Sequence, residues 1–253
     1  MYQPAPKARR SFCSAIPGFA STVVMAMALS VAPLSGQAGP AEQEGRSLRI
    51  GIIGSGAMGA PIGVLWAEAG HQVLFSSRNP DQLMGLVRDG APRASAGYPD
   101  GAAFFGEIIL LAVPPSAIPQ IGEQFGELMR GKVVIDVSNP RVDRDGEITN
   151  EWLEMGTGLA MAQYLPGVRL VKAFNTVNPR SFANPILDGE RIGVPIAGDD
   201  EEALAITASL VRDAGLDPVI VGPLERAKEF DRGSPIWETG ASAREIRETL
   251  NIR

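Results

Sequence analysis

Residues 48–59 read Leu-Arg-Ile-Gly-Ile-Ile-Gly-Ser-Gly-Ala-Met-Gly. An apolar run ends in Gly-x-Gly-x-x-Gly, and an Ala-rich helical pattern from Ala57 to Ala69 follows, with Gly70 as its stop. This context constrains the fold more than the glycines do. A buried strand, a tight turn and a helix starting at that turn are the parts that hold a dinucleotide pyrophosphate. Gly54 makes the turn, Gly56 bares the backbone to the phosphates, and Gly59 lets helix and strand pack closely.

The chain does not begin with this motif. Lys7, Arg9 and Arg10 are followed by no charged residue until Glu42, and a short apolar run lies between. A charged start, a short apolar stretch and a small-residue exit describe an export signal, too short for a membrane span. Arg9-Arg10-Ser11-Phe12 resembles the twin-arginine signal. The expectation is a periplasmic or secreted protein with no stable membrane span after processing, or a cytoplasmic one if the start codon is misassigned. Residues 1–41 are read as the signal, 42–47 as a linker, 48–178 as the nucleotide-binding domain and 179–253 as a small C-terminal domain.

Cys13, the only cysteine, falls in the signal, so a mature chain has no disulfide and no thiol chemistry. His71, the only histidine, stands where the second strand begins, away from the strand ends that carry ligands, and is read as structural. No metal site is expected. A net charge of −6 argues against nucleic acid.

Beyond the motif, short apolar runs alternate with helical patterns, which implies an α/β fold: a Rossmann-type, doubly wound, mostly parallel sheet with a small C-terminal α/β appendage. Strands are expected at Leu48–Ile53, Gln72–Ser76, weakly at Arg93–Ala96, then at Glu107–Val113, Lys132–Val137, Val168–Phe174, Arg191–Ala197 and Pro218–Val221. Helices are expected near Pro80–Val87, over Ser116–Met129 and Glu201–Ala214, and after Leu224 with a break at Gly233–Pro235. In this topology ligands gather at the carboxyl ends of the strands. Those ends are Gly54–Gly59, Ser76–Asn79, Ala112–Pro115, Ser138–Pro140 and Phe174–Asn178.

The end of the second strand distinguishes the nicotinamide cofactors. An NAD site places a carboxylate there to bind the ribose hydroxyls. Here the chain reads Ser76-Ser77-Arg78-Asn79. Ser77 can donate a hydrogen bond and Arg78 offers a planar fork, so NADP is expected, with its 2′-phosphate on these two.

Gly54–Gly59, Ser77-Arg78, Leu111-Ala-Val-Pro114, Asp136-Val-Ser-Asn-Pro140 and Val171-Lys-Ala-Phe-Asn-Thr-Val177 resemble, in this order, the NADP oxidoreductases that use coenzyme F-420. The reductase domain of the STEAP metalloreductases is similar. The resemblance implies a homodimer that transfers hydride directly between NADP and a deazaflavin or flavin (F-420, FMN or FAD). It also implies that Ser55–Met58 hold the pyrophosphate, Val113 and Pro114 line the ribose and nicotinamide side, and Ala173, Phe174 and Asn175 border the nicotinamide and the second ring. Gln82 stands where the family often has a further basic residue.

Hydride transfer between stacked rings requires placement more than a proton relay, so no acid/base residue is expected. Two alternatives remain: an NADP-dependent imine or ketone reductase, and a non-enzymatic NADP-binding module. Lys172 and Asn175 resemble the Lys-x-x-Asn pair of 3-hydroxyacid dehydrogenases. At a strand end, however, three-residue spacing sends side chains to opposite faces.

Overall fold

The computed structural model describes residues 46–90 and 92–252. The expected signal, most of the linker and Cys13 lie outside the described residues.

β1 (Arg49–Ile53) leads into α1 (Gly59–Glu68), β2 (Gln72–Ser76), α2 (Met84–Asp89), β3 (Ala94–Gly97), α3 (Pro99–Phe105), β4 (Ile108–Leu111), α4 (Ile118–Met129) and β5 (Val133–Asp136). Three short helices follow, α5 (Val142–Asp145), α6 (Ile148–Met155) and α7 (Thr157–Tyr164), before β6 (Arg169–Lys172). The rest comprises β7 (Ile186–Leu187), β8 (Glu190–Arg191), β9 (Gly193–Gly198), α8 (Glu201–Asp213), β10 (Asp217–Gly222) and α9 (Ala243–Thr249).

Eight strands form one sheet in the order β10-β9-β6-β5-β4-β1-β2-β3. β1 to β6 are parallel, as are β9 and β10, and within this sheet the β6–β9 pair alone is antiparallel. β4 and β5 are buried along their whole length, as continuous apolar runs in a covered parallel sheet must be. One apolar layer packs α1 and α8 against one face of the sheet, and a second packs α3, α4 and α7 against the other. Gly51 allows the close approach of α3, since a Cβ there would lie 2.1 Å from the Ala102 carbonyl oxygen.

The strands stand within a few residues of their expected bounds. The C-terminal α/β segment is present as β9–α8–β10, but it is joined to the sheet, not set apart. Val171 and Lys172 pair with Gly198 and Ala197, so the free edge of β6 is filled from residues beyond 178. The β7–β8 hairpin was not expected, although its signal is in the chain. Asp188 (φ 51°) and Gly189 (φ 83°) form the Asp-Gly turn that joins twisted strands.

His71 lies at the amino-terminal edge of the sheet. Its Nδ1 accepts the Leu48 N–H at 3.2 Å and its Nε2 faces Asp213 at 3.1 Å, tying the start of β1 to the end of α8.

Candidate functional site

Five of the six parallel strands from β1 to β6, namely β2, β1, β4, β5 and β6, bring to one edge the carboxyl ends that carry the candidate loops. β1 lies between β2 and β4, where the chain reverses its direction of winding. That crevice is where an open α/β sheet binds its ligand.

At its centre, Gly54 has φ 99°, and a Cβ there would lie 2.5 Å from the Ala112 carbonyl oxygen and 2.7 Å from Val113 Cγ1. A Cβ on Gly59 would lie 2.1 Å from the Gly54 carbonyl oxygen. These two glycines are required by the protein's own packing. Gly56 differs: it is exposed, and nothing stands within 4 Å of its added Cβ. It is therefore free to admit a ligand's phosphates. The ten-residue α1 starts at this turn with no side-chain cap and no acidic residue in its first turn. The Ala60 N–H bonds the Gly56 carbonyl at 3.0 Å and Pro61 has no N–H, so an anion there would be met by the N–H groups of the turn that precedes them. Ser55 Oγ donates to the Ser76 carbonyl at 3.2 Å, joining the turn to the end of β2.

There, Ser77 Oγ accepts the Asn79 N–H at 2.9 Å, which leaves its hydroxyl hydrogen to donate outward. Arg78 is exposed and takes part in no ion pair among the described residues. Both fit a phosphate monoester. Val113 is half-buried and Pro114 exposed at the end of β4.

The loop after β4 is braced by Asp145. Its carboxylate accepts from Ser116 Oγ at 3.0 Å, from the Arg141 N–H at 2.9 Å and from Arg144 at 2.7 Å. Burial pushes this carboxyl up, but the bonds from Arg144, Arg141 and Ser116 outweigh it and hold it below the usual carboxylate range. A lowered folded-state value contributes stability that is present above the ordinary Asp pKa of about 3.9 and is lost as pH falls through the folded value. Asp145→Asn should therefore flatten the acid limb of stability against pH, as urea unfolding across pH 2–6 (roughly the Asp titration range) would show.

At the ends of β5 and β6 lies a second network. Lys172 is fully buried, and its ammonium donates to Asp136 Oδ2 at 2.7 Å and to the Ser138 carbonyl. Asp136 Oδ1 accepts the Ser138 N–H at 2.8 Å. Asn139 Nδ2 donates to the Asn175 carbonyl at 2.7 Å, and Asn175 Nδ2 donates to the Phe230 carbonyl at 3.0 Å.

Ala173, Phe174 and Asn175 are all buried beside this network. The Phe174 ring sits in the core, edge-on to Trp66 at 6.0 Å and tilted to Phe182 at 6.4 Å. What it offers the crevice is its backbone, held at φ 61°, a conformation uncommon for a residue with a side chain. That turn also corrects the expectation for Lys172 and Asn175. Strand alternation fails at Phe174, and both side chains reach the 138–139 loop instead of opposite faces.

A concavity of about 590 Å³ lies at the opposite edge of the sheet, lined by Arg49, His71, Glu107, Lys132, Arg169 and Asp213 among others. It has none of the strand-end loops. Several of its polar groups are matched: Arg169 with Asp200 at 2.5 Å and Glu202 at 2.7 Å, and His71 with Asp213 at 3.1 Å. The crevice, not this concavity, carries the features of a cofactor site.

Sheet order, glycine turn and strand-end loops together define a Rossmann-type NADP-binding domain. Residues 49–140 match the family described as NADP oxidoreductase coenzyme F420-dependent, whose members are NADP-dependent oxidoreductases. Rat metalloreductase STEAP3 is 28% identical over 197 residues, which cover 75% of this chain and 38% of that one. The F420-dependent NADP reductase of Methanothermobacter thermautotrophicus is 24% identical over 204 residues, 75% of this chain and 87% of that one. The NAD(P)+ glycerol-3-phosphate dehydrogenase of Agrobacterium fabrum is 27% identical over 219 residues, 73% of this chain and 65% of that one. The chain thus spans less than two thirds of two of these three relatives. Among solved structures, one from Arthrobacter sp. FB24, provisionally described as an F420-dependent NADP-reductase, superposes with a TM-score of 0.63 at 22% identity. It is matched over 88% of its length and 72% of this chain. The imine reductase from Pseudomonas sp. superposes with a TM-score of 0.54 at 18% identity, over 56% of its length and 70% of this chain. The resemblance drawn from the sequence holds.

Proposed function

We propose that this chain is an NADP(H)-dependent oxidoreductase that transfers hydride between NADP and a deazaflavin or flavin. The observation that carries this reading is the state of Lys172. It is the one lysine at the ends of β5 and β6, and a carbonyl reductase would use such a group to move a proton. Here it is fully buried and held by Asp136 and the Ser138 carbonyl. The sole histidine is at the other edge of the sheet. A site built to place two rings has no need of either.

Ser55–Met58 would hold the pyrophosphate, Ser77 and Arg78 the 2′-phosphate, and Val113, Pro114 and Ala173 the nicotinamide side. When bound, NADPH supplies a hydride from C4 of its nicotinamide and becomes NADP+, while the acceptor takes its second hydrogen from solvent. The 138–140 and 173–178 loops would form the walls that position the nicotinamide and the acceptor and limit water at the reacting carbon. Export with the cofactor already held in the fold belongs to the same reading.

Arg78→Ala is expected to weaken NADPH binding roughly ten- to hundredfold, the worth of one or two charge-assisted hydrogen bonds, and to leave NADH binding almost unchanged. Fluorescence titration with each nucleotide measures it, and equal losses for the two would remove the 2′-phosphate from this site. The reaction itself is tested by NADPH oxidation with a deazaflavin, FMN and FAD, each of which alone suffices to support the reading; turnover of none contradicts it.

A further inference from the structure

We infer that the ends of β5 and β6, together with the turn at residues 231–238, form a recognition edge for an imide, the O=C–N(H)–C=O edge of a pyrimidinedione ring. This rests on the proposed function and names the part of the acceptor that the protein reads.

The warrant is a set of buried polar atoms without hydrogen-bond partners among the described residues. Ser138 Oγ, Asn175 Oδ1, Ser234 Oγ and Trp237 Nε1 are four such atoms. They fall on three segments that hydrogen bonds hold together. Asn139 Nδ2 donates to the Asn175 carbonyl at 2.7 Å, next to Ser138. Asn175 Nδ2 donates to the Phe230 carbonyl at 3.0 Å. The Glu238 N–H donates to the Thr176 carbonyl at 2.8 Å, and the Trp237 N–H to the Ser234 carbonyl at 3.1 Å. Ser138 and Asn175 are themselves 6% and 1% exposed.

The chemistry of the four atoms is specific. The bond to the Phe230 carbonyl fixes which end of the Asn175 amide is the donor, so the unpartnered Oδ1 is an acceptor only. Trp237 Nε1 is a donor only, and the serine hydroxyls can donate. The set therefore pairs one acceptor with donors, the chemistry that complements an imide, whose N–H is flanked by two carbonyl oxygens. Flavins and deazaflavins share that edge; a simple ketone or imine lacks it. The Arg232 guanidinium lies 4.6 Å from the centroid of the Trp237 ring and stiffens the indole whose N–H is used. All four atoms are closed off from solvent, so the ring edge enters as the 231–240 turn parts from the strand ends. Gly233 (φ 89°) and Gly240 (φ 75°) stand in that turn.

The test uses the whole protein, with riboflavin and a riboflavin-type deazaflavin set beside their N3-methyl counterparts. Binding is read by fluorescence quenching in the presence of NADP+, and turnover by NADPH oxidation. Methylation of N3 removes the imide donor and should weaken binding and kcat/KM roughly ten- to hundredfold, the effect of one buried polar group left unpaired. Trp237→Phe keeps the ring and removes the N–H; it should raise KM for the acceptor with kcat nearly held. Equal binding of parent and N3-methyl rings, or binding of neither, overturns the inference. Discrimination in binding without any hydride transfer supports the edge and overturns the functional reading instead.

Discussion

Lys172→Met should lower the free energy of unfolding by about 3–5 kcal/mol, the cost of leaving one member of a buried ion pair alone. Lys172 and Asp136 have side-chain exposures of 0% and 1%. Without the ammonium, the Asp136 carboxylate retains the Ser138 N–H as its bonded donor in a region water does not reach. The Ser138 carbonyl also loses its donor. Replacing both partners with apolar residues removes the stranded charge, so Lys172→Met with Asp136→Leu should be less destabilised than Lys172→Met alone. Urea unfolding of the three proteins measures this. If the single and double variants are equally destabilised, the pair does not act as a coupled unit. The loop held by Lys172 lines the crevice, so a rise in KM for NADPH should accompany the single substitution.

Gly56→Ala and Gly59→Ala should separate folding from binding. At Gly59 a methyl group would stand 2.1 Å from the Gly54 carbonyl oxygen and 3.0 Å from Ile52 Cγ2. The backbone must move, at a cost of about 1–3 kcal/mol of stability, and the turn that cradles the phosphates moves with it. At Gly56 the methyl meets no protein atom within 4 Å. Stability should change by no more than about 0.5 kcal/mol, as at other exposed positions. NADPH affinity should nevertheless fall more than tenfold, roughly 1.4 kcal/mol or more, because the methyl occupies the path of the pyrophosphate. Unfolding curves and nucleotide titrations on both variants check this. A Gly56→Ala protein that binds NADPH as tightly as the parent would place the pyrophosphate elsewhere.

The sheet was legible because most of its parallel strands are short apolar runs closed by Gly, Pro, Ser or Asn; β3, Ala-Ser-Ala-Gly, is the weak one. The crevice was legible because those closures share one edge in any doubly wound sheet. Less legible were features that depend on residues far apart in sequence. Asn139 and Asn175 meet across 36 residues, and Asp231 holds the Thr157 N–H at the start of α7 from 74 residues away at 3.0 Å. No local pattern encodes either contact. Asp136 is partly different: its bond to the N–H two residues on is a turn that aspartate commonly makes, whereas its pairing with Lys172 requires β5 and β6 to be neighbours. The positive φ of Phe174 has no sequence signal, since an aromatic residue is among the least expected there. It is also what places Asn175 against the 139 loop, so strand periodicity failed at the point where the site is built.

The most direct test of the account is a turnover with NADPH carrying deuterium at the transferred C4 position and a deazaflavin as acceptor. The deazaflavin accepts hydride at a carbon whose hydrogen does not exchange with water. Direct transfer in the crevice predicts deuterium at that carbon in the reduced product and none released to solvent. Reduced deazaflavin without the label, or NADPH that binds and is never oxidised by any flavin or deazaflavin, would contradict it.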